Sequence, residues 1–339
     1  MGPVPALVGL PGKETDQANG RGRDWGSAMN GAFPDYGTLF ARNLGVLTET
    51  EQERIRKTRV LIVGDSGSGE TLATALARCG FERITIAGAA RYVPEDMNRQ
   101  IGCFTDTMGR LKGEVAAEAI LQINPGAEVT VYPTLPTEEE IPALVAESDL
   151  VIPAVDDLPY SILVFRACRS LGKPAVLCLP AGALGWVSSF TPESTTIEEA
   201  LGIPVIDYAG LRRVIHSQEF RCAQYHYITQ GNWQVEWFFD YFSGEKPLAL
   251  LCASEWLLVS LAALEAMKIA TGRWKPILAP RCWLLKNGRL KVSHFSWFMR
   301  LHRRLGWLIF GSPDGLRRHR WTHWIWKRFF RYLRHRQKR

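Results

Sequence analysis

An apolar run that ends abruptly in a glycine-rich turn leaves few folds open to this chain. Arg59-Val60-Leu61-Ile62-Val63 is followed by Gly64-Asp65-Ser66-Gly67-Ser68-Gly69, and a helical pattern continues from Thr71 to Cys79. A buried strand that feeds such a turn and then a helix offers unpaired backbone N–H groups, aligned with the helix macrodipole, to an anion such as phosphate. A glycine turn that serves only to pack a helix against a strand looks the same locally. The residues downstream have to separate the two readings.

They continue the alternation. Arg83–Ala87, Val129–Tyr132, Leu150–Ile152 (ending at Pro153) and Ala175–Leu179 read as strands. Lys112–Ile123 and Leu163–Leu171 read as helices, with Val115, Ala116, Ile120 and Leu121 spaced to pack one face. Glu49–Lys57 is a short polar helix ahead of the first strand. Strands alternating with helices predict an α/β fold, a doubly wound Rossmann-like mainly parallel sheet, whose ligands sit beyond the carboxyl ends of the strands. Gly64 to Gly69, Gly88 and Asp156 all fall at such ends. Beyond the fifth strand, Thr191–Tyr241 is aromatic and mixed in charge, and Ala253–Thr271 is a strong helix closed by Gly272.

Charge divides the chain. The net charge of +7 arises at the C-terminal end, where residues 291–339 hold 14 Lys and Arg against one acidic residue, Asp314. The remainder is net acidic. This predicts a flexible Gly/Pro-rich lead over 1–33, a folded domain over 34–290, and a basic aromatic tail over 291–339. In the tail Trp297, Trp307, Trp321, Trp324, Trp326, Phe329, Phe330 and Tyr332 interleave with the cations. Trp321, Trp324, Ile325 and Arg328 have helical spacing, so an amphipathic basic helix would suit an anionic membrane surface, an acidic partner or nucleic acid. Packing of its aromatic face on the protein itself is the competing reading. The seven cysteines are scattered with no C-x-x-C pair, so no zinc is expected. Without a leader pattern or an apolar run of about 18 residues, the expectation is a reducing, cytoplasmic protein, with peripheral membrane contact open through the tail.

Several short elements follow the glycine turn in a telling order: Tyr92-Val93-Pro94-Glu95-Asp96-Met97-Asn98-Arg99-Gln100, then Gly109-Arg110-Leu111-Lys112, Asn124-Pro125, and Asp156-Asp157. With the approach segment Phe40-Ala41-Arg42-Asn43, this order resembles the ThiF/HesA/MoeB adenylyltransferases, relatives of the ubiquitin-activating enzymes, from about Tyr36 to Pro280. The resemblance implies a nucleotide half over 59–180 and a substrate-binding, crossover half over 181–290. It implies Mg-ATP as cosubstrate and a homodimer. The substrate would be a carboxylate of a peptide or small ubiquitin-like or sulfur-carrier protein, activated as an acyl-adenylate. Residue by residue, Gly64, Ser66, Gly67 and Gly69 would form the triphosphate cradle, with Gly88 at the ribose side. Arg99 and Lys112 would be the cations, Arg42 would reach phosphate across the dimer, Asp156 would hold the metal, and Asn98 and Gln100 would order the site. For Arg99 and Lys112 the competing reading is surface solvation, and for Asp156 it is a helix cap.

Departures from the family pattern point the other way. Gly88 and Ala90 stand where the family usually has an acidic pair that binds ribose, Asp157 replaces an Asn, Ser161 an Arg, and Ser66 a glycine. A catalytically reduced binding protein for a peptide or protein partner is therefore the second reading. A third is a 2′-phosphate accepted by Arg91 beside the small residue at Gly88, as in NADP enzymes. Cys222, in Phe220-Arg221-Cys222-Ala223-Gln224, lies where some relatives place a thioester-forming cysteine, and Arg221 would lower its pKa; an ordinary free cysteine is the plainer reading.

Overall fold

A computed structural model describes residues 33–65, 67–216 and 232–295 and isolated positions from 297 to 335. Ser66, Cys222, residues 1–32 and most of the 291–339 tail, including Trp307, Trp321, Ile325, Trp326, Phe329 and Phe330, lie outside the described residues. Strands β1 (Arg59–Val63), β2 (Arg83–Ala87), β3 (Glu128–Tyr132), β4 (Leu150–Pro153), β5 (Ala175–Ala181), β6 (Leu184–Phe190), β7 (Arg281–Lys286) and β8 (Arg289–His294) form one sheet in the order β3-β2-β1-β4-β5-β6-β7-β8. The pairings from β3 through β5 are parallel and those from β5 through β8 antiparallel. From β1 the chain builds outward through β2 to β3, then returns to lay β4 on the other side of β1. The strand order therefore reverses between β1 and β4, and a crevice for ligands opens at that point.

Period-two alternation divides the core into two layers. Val60 and Ile62 face a layer containing Leu72, Leu76, Ile120, Leu258 and Ala262 from the helices Gly67–Cys79, Lys112–Ile123 and Cys252–Thr271. Leu61 and Val63 face the opposite layer, where Ile141, Val145, Ile162, Phe165 and Leu211 pack from helices of the other side. Both faces of β1 and β4 are covered, so these strands read as continuous apolar runs, whereas the edge strand β3 is partly exposed.

The structure extends several expectations. The helix after the glycine turn begins at Gly67, and the region beyond β5 holds more sheet than the sequence pattern announced. The helix expected from Leu163 starts at Leu158, with Pro159 in its first turn, where a missing N–H costs nothing. Strand β6 escaped the pattern because it is buried along its whole length and shows no alternation; the pattern does not announce β7 and β8 as strands either. Asn287 (φ 52°) and Gly288 (φ 74°) form the two-residue turn joining β7 to β8, as an Asn-Gly pair favours. The boundary placed at residue 290 falls inside β8, and Phe295 just beyond it is fully buried. Charge marked the start of the tail too early, since the basic residues of an edge strand resemble those of a tail. Among the isolated described tail positions, Trp324, Arg328, Arg331, Tyr332 and His335 are helical and exposed, and the Arg328 guanidinium lies 4.8 Å from the Trp324 ring centre. Among the described residues no helix is long and apolar enough to cross a membrane.

Helix Cys252–Thr271 is fixed in place by Glu265, which is fully buried. Its carboxylate accepts from the Ser189 hydroxyl (3.0 Å), the Ile277 N–H (2.7 Å) and the Trp283 indole (2.8 Å), and it pairs with Lys268 at 2.5 Å. A buried charge so fully bonded ties the helix to β6 and β7. That placement carries the helix N-terminus, and with it Glu255, to the crevice.

Candidate functional site

The glycine turn leaves β1 at the crevice. Gly64 takes φ 104°, a left-handed conformation that glycine reaches without strain, and a Cβ there would come within 2.5 Å of the Ala154 carbonyl oxygen at the end of β4. The Gly64 N–H donates to the Ala87 carbonyl and the Ala154 N–H to that of Val63, each at 2.7 Å, so the ends of β2, β1 and β4 are held side by side. Gly69 lets the helix press against the turn, since a Cβ there would overlap the Gly64 carbonyl oxygen.

Beside the turn lies a buried cluster of opposite charges. The short 3-10 turn Pro94–Asp96 points Asp96 inward, where it pairs with Lys112 (2.7 Å) and Arg99 (3.1 Å) and accepts from the Gln100 amide (2.7 Å). Lys112 is only 4% exposed, because it opens the Lys112–Ile123 helix directly against this turn. The surface-solvation reading of the two cations is thus excluded, and both are already paired. Glu255, fully buried, reaches the Arg99 Nε at 3.3 Å without hydrogen-bond alignment, so both of its oxygens and the Arg99 Nε lack a hydrogen bond. A Cβ on Gly67, the first residue of its helix, would lie 2.9 Å from Glu255 Oε1. A carboxylate therefore stands at the helix N-terminus, beside a cation, where an anionic ligand would be favoured. Burial pushes the Glu255 pKa up to about 7; Arg99 opposes the rise, while Asp156 and Asp96 add to it.

Asp65 sits in the turn itself and is 3% exposed. Its Oδ1 accepts from the Ala90 N–H at 3.1 Å, while Oδ2 is buried and makes no hydrogen bond. Burial raises its pKa; the Ala90 N–H, then Gly113 and Lys112 nearby, oppose the rise. Glu70, one turn into the helix and fully buried, is pushed up to about 7 by burial, against the opposing Tyr92 hydroxyl.

Of the residues expected from sequence, Gly64, Gly67, Gly69, Gly88, Arg99, Gln100 and Lys112 come together here. Asp156, exposed at the end of β4, is close enough for its charge to raise the Glu255 pKa. The helix cap reading of Asp156 shifts by one residue: Asp157 holds the N-cap position of Leu158–Ser170, without a side-chain cap bond. Asn98 braces the cluster from outside, accepting from Arg99 (3.0 Å) and donating to the Leu250 carbonyl (3.1 Å). Arg42 is elsewhere, exposed in a cleft of about 1070 Å³ that it shares with Arg78 and Arg110. Arg91 is exposed and donates to the Gly109 carbonyl. Sequence reading missed Asp65, Asp96 and Glu255 as members of the site. Asp65 and Asp96 lay within the quoted motifs, and the signal for Glu255 was a single acid near the start of an otherwise apolar helix.

These parts fit a phosphate-bearing ligand. The glycine cradle, the buried Lys112, the partly buried Arg99 with its unbonded Nε and a carboxylate standing in for an anion all converge on one crevice.

A doubly wound sheet with a glycine turn at its switch point and a buried lysine and a partly buried arginine beside it defines a Rossmann-like protein. More narrowly, the chain belongs to the ThiF family, whose model matches residues 40–300. Protein HesA of Leptolyngbya boryana is 25% identical over 245 residues, covering 72% of this chain and 76% of that protein. The sulfur carrier protein adenylyltransferase of Thermus thermophilus is 32% identical over 125 residues, covering 37% of this chain and 46% of that protein, so the match spans less than half of that relative. Among solved structures, PaaA aligns with a TM-score of 0.55 at 19% identity, over 77% of this chain and 80% of its own. Escherichia coli MccB, crystallised with ATP, aligns with a TM-score of 0.55 at 15% identity, over 72% and 65% respectively. At these identities the two structures share the fold.

Proposed function

We propose that the protein is an adenylyltransferase that uses Mg-ATP to activate a carboxylate of a peptide or a small carrier protein. The carrying observation is the convergence of the glycine turn, Arg99, Lys112 and Asp156 at the ends of β1, β2 and β4. The substrate carboxylate oxygen would attack the α-phosphorus of ATP. The bond to the bridging oxygen breaks, pyrophosphate leaves with the electron pair, and an acyl-adenylate remains. Arg99 and Lys112 neutralise charge as it develops between the α- and β-phosphates. Asp156 would hold Mg²⁺, which supplies further neutralisation on the phosphate oxygens. For the phosphates to engage Arg99, the Glu255 carboxylate has to yield or take up a proton, and its raised pKa makes the second route accessible near neutrality.

The names of relatives support both kinds of substrate: adenylyltransferases for sulfur carrier proteins, and MccB structures holding the peptide MccA. Arg42 would act from a second subunit, since in this chain it lies exposed in a separate cleft and pairs with none of the cluster's described residues. The tail would add contact with an acidic partner or an anionic membrane. The pairing of Lys112 and Arg99 with Asp96 favours the second reading, a catalytically reduced binding protein.

Isothermal titration with ATP and Mg²⁺ on the wild type and Asp156→Ala separates them, followed by pyrophosphate exchange with candidate carboxylates. Binding that weakens in the variant is expected. A folded wild type that gives no heat with Mg-ATP and no exchange would overturn the catalytic reading.

A further inference from the structure

In doubly wound sheets that bind nucleotides, an acidic residue at the end of β2, about 20 residues after the glycine turn, accepts hydrogen bonds from the ribose hydroxyls. Here that strand end is Ala87-Gly88-Ala89-Ala90 and carries no acid. The space is not empty, however. A Cβ built on Gly88 would overlap Asp65 Oδ1 and Cγ, and the third nearest atom, at 2.8 Å, is Asp65 Cβ. All three neighbours belong to one side chain, which enters from the end of the adjacent strand.

We propose that Asp65 is the ribose-binding carboxylate of this chain, supplied from the end of β1 and reaching over Gly88 into the place an acid on β2 would fill. The inference rests on the nucleotide reading above. Three observations carry it. Oδ1 is anchored by the Ala90 N–H, a backbone donor of the β2 end. Oδ2 is buried without a hydrogen bond, and a carboxylate oxygen in that condition is held ready for a donor such as a hydroxyl. Gly88 has no positive φ, so its lack of a side chain answers to space alone, and the space is taken by Asp65. The loss of acids at positions 88 and 90 then reflects relocation of one carboxylate to the neighbouring strand.

The test compares affinities for Mg-ATP and its 2′,3′-dideoxy analogue in the wild type, Asp65→Asn, Asp65→Gly and the exchange variant Asp65→Gly/Gly88→Asp. Asparagine keeps the shape and the Ala90 bond and so guards against misfolding. The exchange removes all three atoms that a Cβ at 88 would meet. The wild type is expected to prefer ATP by at least about tenfold, as two hydroxyl bonds to a charged acceptor require. Asp65→Asn and Asp65→Gly should lose most of that preference, and the exchange variant should recover it. Equal binding of both nucleotides by the wild type, or full preference in Asp65→Gly, overturns the assignment while leaving the nucleotide reading intact. Failure of the folded wild type to bind either nucleotide overturns both.

Discussion

Replacing Glu255 with glutamine should make this protein more stable above neutral pH. The residue is fully buried, its two oxygens lack hydrogen bonds, and its pKa rises from 4.5 to about 7, chiefly because burial disfavours the charged form. Between those two values the folded state holds a proton that the unfolded state releases, so stability falls as pH rises through this window. At about 1.4 kcal/mol for each unit of pKa, the ionised carboxylate costs the native state about 3 kcal/mol above pH 7. That figure already includes the attraction of Arg99, which in the variant keeps Asp96 at 3.1 Å. Burying an amide with few partners reclaims part of the gain, leaving about 1–2 kcal/mol. Urea unfolding followed by tryptophan fluorescence, at about pH 5 and about pH 8 and with the slope compared between proteins, reads the difference directly. The variant should exceed the wild type only at the higher pH. Equal pH dependence in the two proteins, or a variant less stable than the wild type above neutrality, would refute the reasoning.

Two further outcomes follow from the packing. Glu265→Ala should cost about 3–5 kcal/mol, because it strands buried Lys268 and leaves the Ser189, Ile277 and Trp283 donors unpaired; thermal melting checks this, and a loss under 1 kcal/mol would contradict the network. Gly69→Ala should destabilise by about 1–3 kcal/mol, since its Cβ would overlap the Gly64 carbonyl oxygen and neither backbone can give way alone; denaturant midpoints measure it, and a neutral result would show that the turn is looser than described.

Much of this organisation is legible in the sequence because it depends on neighbours along the chain. Continuous apolar runs declared β1 and β4, helical spacing declared Lys112–Ile123, and the glycines declared a turn that an anion could use. Asp96 lay in a motif already singled out, yet nothing in the order of residues says that its carboxylate claims Lys112 and Arg99 together. β6 went unread because a strand buried on both faces does not alternate, and the 290 boundary failed because charge alone cannot separate an edge strand from a tail.

By itself the sequence determined the class of fold and the strand ends at which the site would form, properties that follow from local periodicity and from residue chemistry at short spacing. The cations expected to serve the site came from the order of motifs that resembles the ThiF family. Only the tertiary structure decided that Glu255, more than 150 residues from Arg99, would stand over the first residue of the glycine-turn helix, and that Asp65 would fill the space left by Gly88. Both depend on how helix Cys252–Thr271 and strand β2 pack against β1 and its turn, and packing brings together residues whose distance along the chain carries no signal.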